Sequence, residues 1–188
     1  MFRTILIASA VVLVMAGSLY SQSLDNGDFG YPSENPGIPE GWTTWGDWFL
    51  RETVWDPRPP SGAMMGYHHY RVEGTNKSGM HQDVAGVTAG QKVRFSILMM
   101  VDPHGADSRR PHAVELILEA GKDGRQETVA KREILLEEFP TDTEWHEVSV
   151  EGTLPVDNLR VIVAVTPSPS GPRQSAVKFS EANLEVLD

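Results

Sequence analysis

Lys92-Val-Arg-Phe-Ser-Ile-Leu-Met-Met-Val101 is the stretch that decides the fold. Val93, Phe95, Ile97, Met99 and Val101 fall on one side of an extended chain, with Lys92, Arg94 and Ser96 on the other. Successive strand residues point to opposite faces, so this spacing predicts a strand with one buried side. Leu98 and Met100 interrupt the alternation, and there the strand reads as covered on both faces. The pattern recurs downstream. His112 to Ala120 turns Val114, Leu116 and Leu118 inward and Glu115 and Glu119 outward, and Asn158 to Thr166 carries Val161, Val163 and Val165 on one side. Trp145 to Val150 and Ala176 to Leu187 add two more strands.

Turn chemistry separates these runs. The 17 Gly and 13 Pro gather in stretches such as Asp56-Pro-Arg-Pro-Pro-Ser-Gly62, Asp102-Pro-His-Gly105 and Thr166-Pro-Ser-Pro-Ser-Gly-Pro172, which punctuate many short strands. Glu127 to Glu138 is rich in helix formers. Lys122-Asp-Gly124 before it reads as a hairpin turn, however, and favours two strands. No fixed-period repeat and no long linker divides the chain, so residues 23–188 read as one all-β domain.

Residues 1–22 read as a secretory signal peptide: Arg3, the apolar run Ile5 to Met15, then small Ala16, Gly17 and Ser18. The run falls short of the roughly 20 residues of a membrane span, and an uncleaved anchor is the alternative. The expected location is secreted, periplasmic or at the cell envelope, with no membrane contact beyond the leader. Without a cysteine in the chain, stability has to come from packing. The net charge of −10 becomes −11 once Arg3 leaves. Such a surface repels phosphate backbones, which excludes nucleic acid and favours neutral or cationic ligands.

Asn26-Gly27-Asp28-Phe29 opens the domain with a tight reversal, and Gly41-Trp42 follows a Pro/Gly-rich excursion. Then come Ser61-Gly62, the stretch Gly79-Met-His-Gln-Asp-Val84 with Gly90-Gln-Lys-Val-Arg-Phe-Ser96, and Thr143-Glu-Trp-His-Glu-Val-Ser-Val150 with Leu154-Pro155. In this order and spacing the chain resembles the bacterial carbohydrate-binding modules of the galactose-binding-like jelly-roll superfamily. The resemblance implies a two-sheet antiparallel β-sandwich of jelly-roll type. It also implies a structural calcium between the opening motif and the last strand. Gly30 and Ser180-Glu181 replace the family's acidic residues there, leaving Asp28 and Glu181 as candidate ligands. No other cofactor is expected.

Trp42, Trp45, Trp48 and Trp55 cluster in sequence. An indole offers a flat platform to the C–H face of a sugar ring. Trp42 and Trp145 match structural positions of the family and read as core. Trp45 and Trp48 would face opposite ways on a strand, and Trp55 borders a Pro-rich loop. The candidate ligand-binding residues are therefore Trp45, Trp48 and Trp55, with Tyr67, Tyr70, Gln82 and Arg94 as hydrogen-bonding neighbours. His68-His69 and the Asp102 to His112 stretch lack a zinc spacing. There is no nucleophile elbow, phosphate loop, dinucleotide fingerprint or Cys nucleophile. Glu115 and Glu119 would lie roughly 13 Å apart on a strand, too far for a glycosidase pair. The expectation is an exported, non-catalytic module that binds carbohydrate. The alternative is a structural or adhesion sandwich making protein contacts at the envelope.

Overall fold

The structure is a computed structural model that describes residues 24–46, 49–53, 58–69, 77–101, 113–122, 125–166 and 175–187. The leader, Trp48, Trp55 and Tyr70 lie outside the described residues. Among the described residues ten strands carry the fold: β1 (Thr43–Trp45), β2 (Phe49–Glu52), β3 (Met64–His69), β4 (Ser78–Val84), β5 (Lys92–Val101), β6 (Ala113–Lys122), β7 (Arg125–Leu135), β8 (His146–Thr153), β9 (Leu159–Thr166) and β10 (Ser175–Leu187). They form two five-stranded sheets of antiparallel pairs. The first runs β1-β4-β9-β6-β7 and the second β2-β3-β10-β5-β8. The all-β sandwich expected from the alternation is therefore the fold.

Each sheet turns one row of aliphatic and aromatic side chains toward the other. On β5, Val93, Phe95, Ile97, Met99 and Val101 are buried, and Val161, Val163 and Val165 of β9 pack into the same core from the opposing sheet. At roughly 25 cal/mol per Å² of apolar area removed from water, these interdigitated rows are the main stabilising term. Residues 125–135, rich in helix formers, are strand β7, paired with β6 from Ala113↔Leu135 to Lys122↔Arg125. Tertiary pairing overrides helix propensity here.

β10 holds a break in the alternation that pattern-reading could not supply. Val177 and Phe179 face the core at odd positions, whereas Ala182 and Leu184 do so at even ones. A β-bulge between Ser180 and Asn183, with Glu181 at φ 52°, absorbs the extra residue and restores the inward face. The amide of Ala182 then donates to the Gly27 carbonyl at 2.8 Å. The bulge is where the N-terminal turn docks.

Each residue of that opening turn has a distinct task. The Asn26 side chain donates to the Tyr31 and Glu40 carbonyls and accepts from the Tyr31 amide, so it ties down both ends of the excursion. Gly27 lies so close to β10 that a Cβ would sit 2.2 Å from the Ala182 carbonyl oxygen. Asp28 Oδ1 accepts the Gly30 amide at 3.1 Å. Phe29 is buried and meets Trp42 edge-on, with ring centroids 5.3 Å apart. Trp42 Nε1 donates to the Asp25 and Asn26 carbonyls. Trp42 is thus a core residue and fixes the chain just ahead of β1, whereas Trp145 is only half-buried.

Candidate functional site

Trp45 ends β1, the edge strand of the first sheet, and is paired with Gly79 of β4. Gly79 shares its face with His81 and Asp83, opposite the core-facing Met80, so this is the outer face of the sandwich. The indole lies over Gly79. A Cβ at that position would sit 2.2 Å from ring atoms Cη2 and Cζ2, so only glycine permits this arrangement. His81 flanks the indole, with ring centroids 5.8 Å apart. Trp45 retains 36% of its surface exposed. The result is an aromatic platform held at a sheet edge.

The same lateral row continues across the sheet, from Gly79 to Ala164 of β9, Glu115 of β6 and Glu133 of β7. The neighbouring row carries Thr43, His81, Ile162, Ile117 and Lys131. Small and apolar side chains therefore occupy the middle of the face. Three strand spacings separate the Trp45 and Glu115 backbones, roughly 14 Å.

Charged groups neighbour these residues. Glu115 is buried, and each of its oxygens meets an ammonium: Lys77 Nζ at 2.6 Å and Lys131 Nζ at 3.2 Å. Burial pushes the Glu115 carboxyl up, but the hydrogen bonds and charges of the two lysines outweigh it and hold it below the usual carboxylate range. The lysines are half-exposed, and an ammonium carries three donors, so donors remain for an incoming group. Arg160 Nε and Nη2 grip both oxygens of Asp83 at 2.6 and 2.9 Å. That hydrogen bond lowers the Asp83 carboxyl. Burial, aided by the Arg160 cation and opposed by Asp83, lowers His81 from its ordinary 6.5, so its ring is neutral at pH 7.

Of the candidate ligand-binding residues that the structure describes, Trp45, Tyr67, Gln82 and Arg94, only Trp45 lies on this face. Gln82 corrects an expectation, because it is buried. Its Oε1 accepts the Asp25 amide at 2.9 Å, and its Nε2 donates to the Asp25 and Gly41 carbonyls. Both ends of the amide hold the N-terminal turn, and none of it faces a ligand. Tyr67 is a second correction: it is fully buried and packs against Phe49, and burial pushes its phenol up to about 12. Arg94 lies on the second sheet, ion-paired with Glu147 at 2.5 Å, and so apart from Trp45. The sequence reading missed Gly79, Ala164, Lys77 and Lys131. The available signal was the outward row Gly79-His81-Asp83, in which a glycine falls opposite a tryptophan.

The calcium implied by the family resemblance does not fit the residues present. Every carbonyl from Asp25 to Gly30 already accepts a hydrogen bond from the protein. The donors are Gln82 and Trp42 for Asp25, Trp42 and the Phe29 amide for Asn26, the Ala182 amide for Gly27, Ser61 for Asp28, and Arg51 for Phe29 and Gly30. Of the proposed ligands, Asp28 is exposed and holds the Gly30 amide, and Glu181 is the left-handed residue of the β10 bulge. Among the described residues no group of three or more His, Asp or Glu is placed to hold a metal ion.

No protein-family model and no curated protein sequence matches the chain. Solved structures do match. An arabinose-bound GH51 α-L-arabinofuranosidase superposes with a TM-score of 0.64 at 16% identity over 91% of this chain, which spans 27% of that enzyme. The module TmCBM61, in complex with β-1,4-galactotriose, superposes with a TM-score of 0.57 at 13% identity, covering 87% of this chain and 97% of the module. A chain described among carbohydrate-binding modules of the β-sandwich superfamily gives 0.52 at 10% identity, covering 85% of this chain and 61% of that one. With its two antiparallel five-stranded sheets, this chain has the β-sandwich fold of carbohydrate-binding modules.

Proposed function

We propose that the protein is an exported, non-catalytic carbohydrate-binding module that holds a glycan across the outer face of the first sheet. The observation that carries this reading is the Trp45 indole resting on Gly79 beside a neutral His81. A sugar ring stacks its C–H face on the exposed part of the indole. Hydroxyls at the far end accept from the Lys77 and Lys131 ammonium groups, which Glu115 holds in position. The single Glu115 carboxylate is neutralised by its two lysines and serves as a structural counter-ion, so no acid–base pair is assigned to this face. Trp48 and Trp55, outside the described residues, are proposed as further ligand contacts.

Shallow sites of this kind hold ligands in the micromolar to millimolar range, about −8 to −4 kcal/mol. The test is titration of a broad panel of neutral glycans against the wild type and the Trp45→Ala, Trp48→Ala and Trp55→Ala variants. At least one glycan should bind, and Trp45→Ala should weaken it by roughly 30-fold. A wild-type protein silent to the whole panel refutes the reading and leaves the adhesion alternative.

A further inference from the structure

Phe49 of β2 is buried in the core and Leu50 is 54% exposed, so Arg51 points to the core side of an edge strand. A guanidinium placed there needs acceptors, because a desolvated cation without partners is costly. It finds two carbonyls in succession. Nε donates to the Phe29 oxygen at 2.6 Å and Nη2 to the Gly30 oxygen at 2.5 Å. In an extended chain, consecutive carbonyls point apart. Phe29 sits at φ 57°, and this left-handed turn swings both oxygens toward one fork. Such a conformation costs a bulky residue on the order of 1–3 kcal/mol and persists only when its surroundings enforce it. The fixed fork of arginine suits that task better than a point-charge ammonium.

We infer that Arg51 is the built-in cation of this domain. Its guanidinium locks the Asn26–Phe29 turn onto the sandwich, and the fold therefore holds together without calcium. Four separate elements already supply the remaining donors to the turn: Gln82 of β4, Trp42 ahead of β1, Ser61 ahead of β3 and Ala182 of β10. Among the described residues, Arg51 supplies the only pair of hydrogen bonds there that carries a formal positive charge. The clamp is independent of the glycan reading, because it involves none of the residues around Trp45.

The test is thermal unfolding of the full chain in excess EDTA and in millimolar calcium, for the wild type, Arg51→Lys and Arg51→Met, with calorimetric calcium titration of the wild type. The wild-type Tm should be the same in both solutions, and calcium should give no binding heat. Arg51→Met should lower Tm by roughly 6–12 °C, since it removes two charge-assisted hydrogen bonds from a domain of this size. Arg51→Lys should fall between the two, because an ammonium lacks the fork. If Arg51→Met fails to fold, the Lys variant carries the comparison. Stoichiometric calcium uptake with a chelator-sensitive wild-type Tm would overturn the inference. So would Met and Lys variants that melt with the wild type.

Discussion

The two outer faces of the sandwich use their outward positions in opposite ways. On the first sheet, Gly79 and Ala164 put almost no side chain on the face, and a tryptophan lies over the gap. On the second, the corresponding outward positions hold Met64, Met100 and Lys178, all buried, with Lys178 joined to Glu52 at 2.6 Å. Small residues leave room for a ring to be presented, whereas long ones close the surface over themselves. Under the proposed function, recognition belongs to the first face and stability to the second.

The largest effect should come from the second face. Lys178 is fully buried and Glu52 mostly so. Lys178→Ala removes the fully buried ammonium from its 2.6 Å contact with Glu52, and breaking a buried pair in this way costs about 3–5 kcal/mol. Denaturant unfolding reads this directly, and glycan affinity of the folded fraction should not change. Trp45→Ala should do the reverse on the first face, lowering affinity by about 2 kcal/mol while the unfolding midpoint stays near that of the wild type. If both substitutions moved both properties together, the division of labour between the faces would be wrong.

Two smaller effects sharpen the contrast. The Glu115 carboxyl titrates below its ordinary 4.5 in the folded state because of Lys77 and Lys131. A lowered folded value means the unfolded chain takes up the proton first as pH falls. The stabilisation is therefore complete above pH 4.5 and is lost as pH drops through the folded value. Unfolding measured against pH should show that loss in the wild type and not in Glu115→Gln. The smallest effect belongs to Arg94→Ala, since the Arg94–Glu147 pair is well exposed and such pairs contribute at most about 1 kcal/mol. Its glycan affinity should equal that of the wild type.

The strands were legible where one residue type repeats every second position. β5 begins and ends where its alternation does, and the inward rows of β6 and β9 follow Val114 to Leu118 and Val161 to Val165. The parity switch in β10 was not legible, because a bulge is set by the docking of Gly27 on Ala182, a contact between opposite ends of the chain. For the site, aromatic content singled out Trp45 but could not rank it. What lays the Trp45 indole on the outer face is Gly79 on the next strand, and register is not written in composition. Gln82 and Tyr67 read as surface groups because their polar atoms suggest water. Gln82 instead finds backbone partners inside, and Tyr67 fills core volume beside Phe49. The outward placement of Glu115 was correct, yet Lys77 just ahead of β4 and Lys131 of β7 enclose it, and no local pattern encodes that.

Backbone and indole chemical-shift mapping with a glycan that answers the panel tests the two-face account most directly. Perturbations should gather at Trp45, His81, Lys77, Ile117 and Lys131 and leave Leu50, Arg94 and Glu147 untouched. A response centred on those last three, with the Trp45 indole silent, would contradict it.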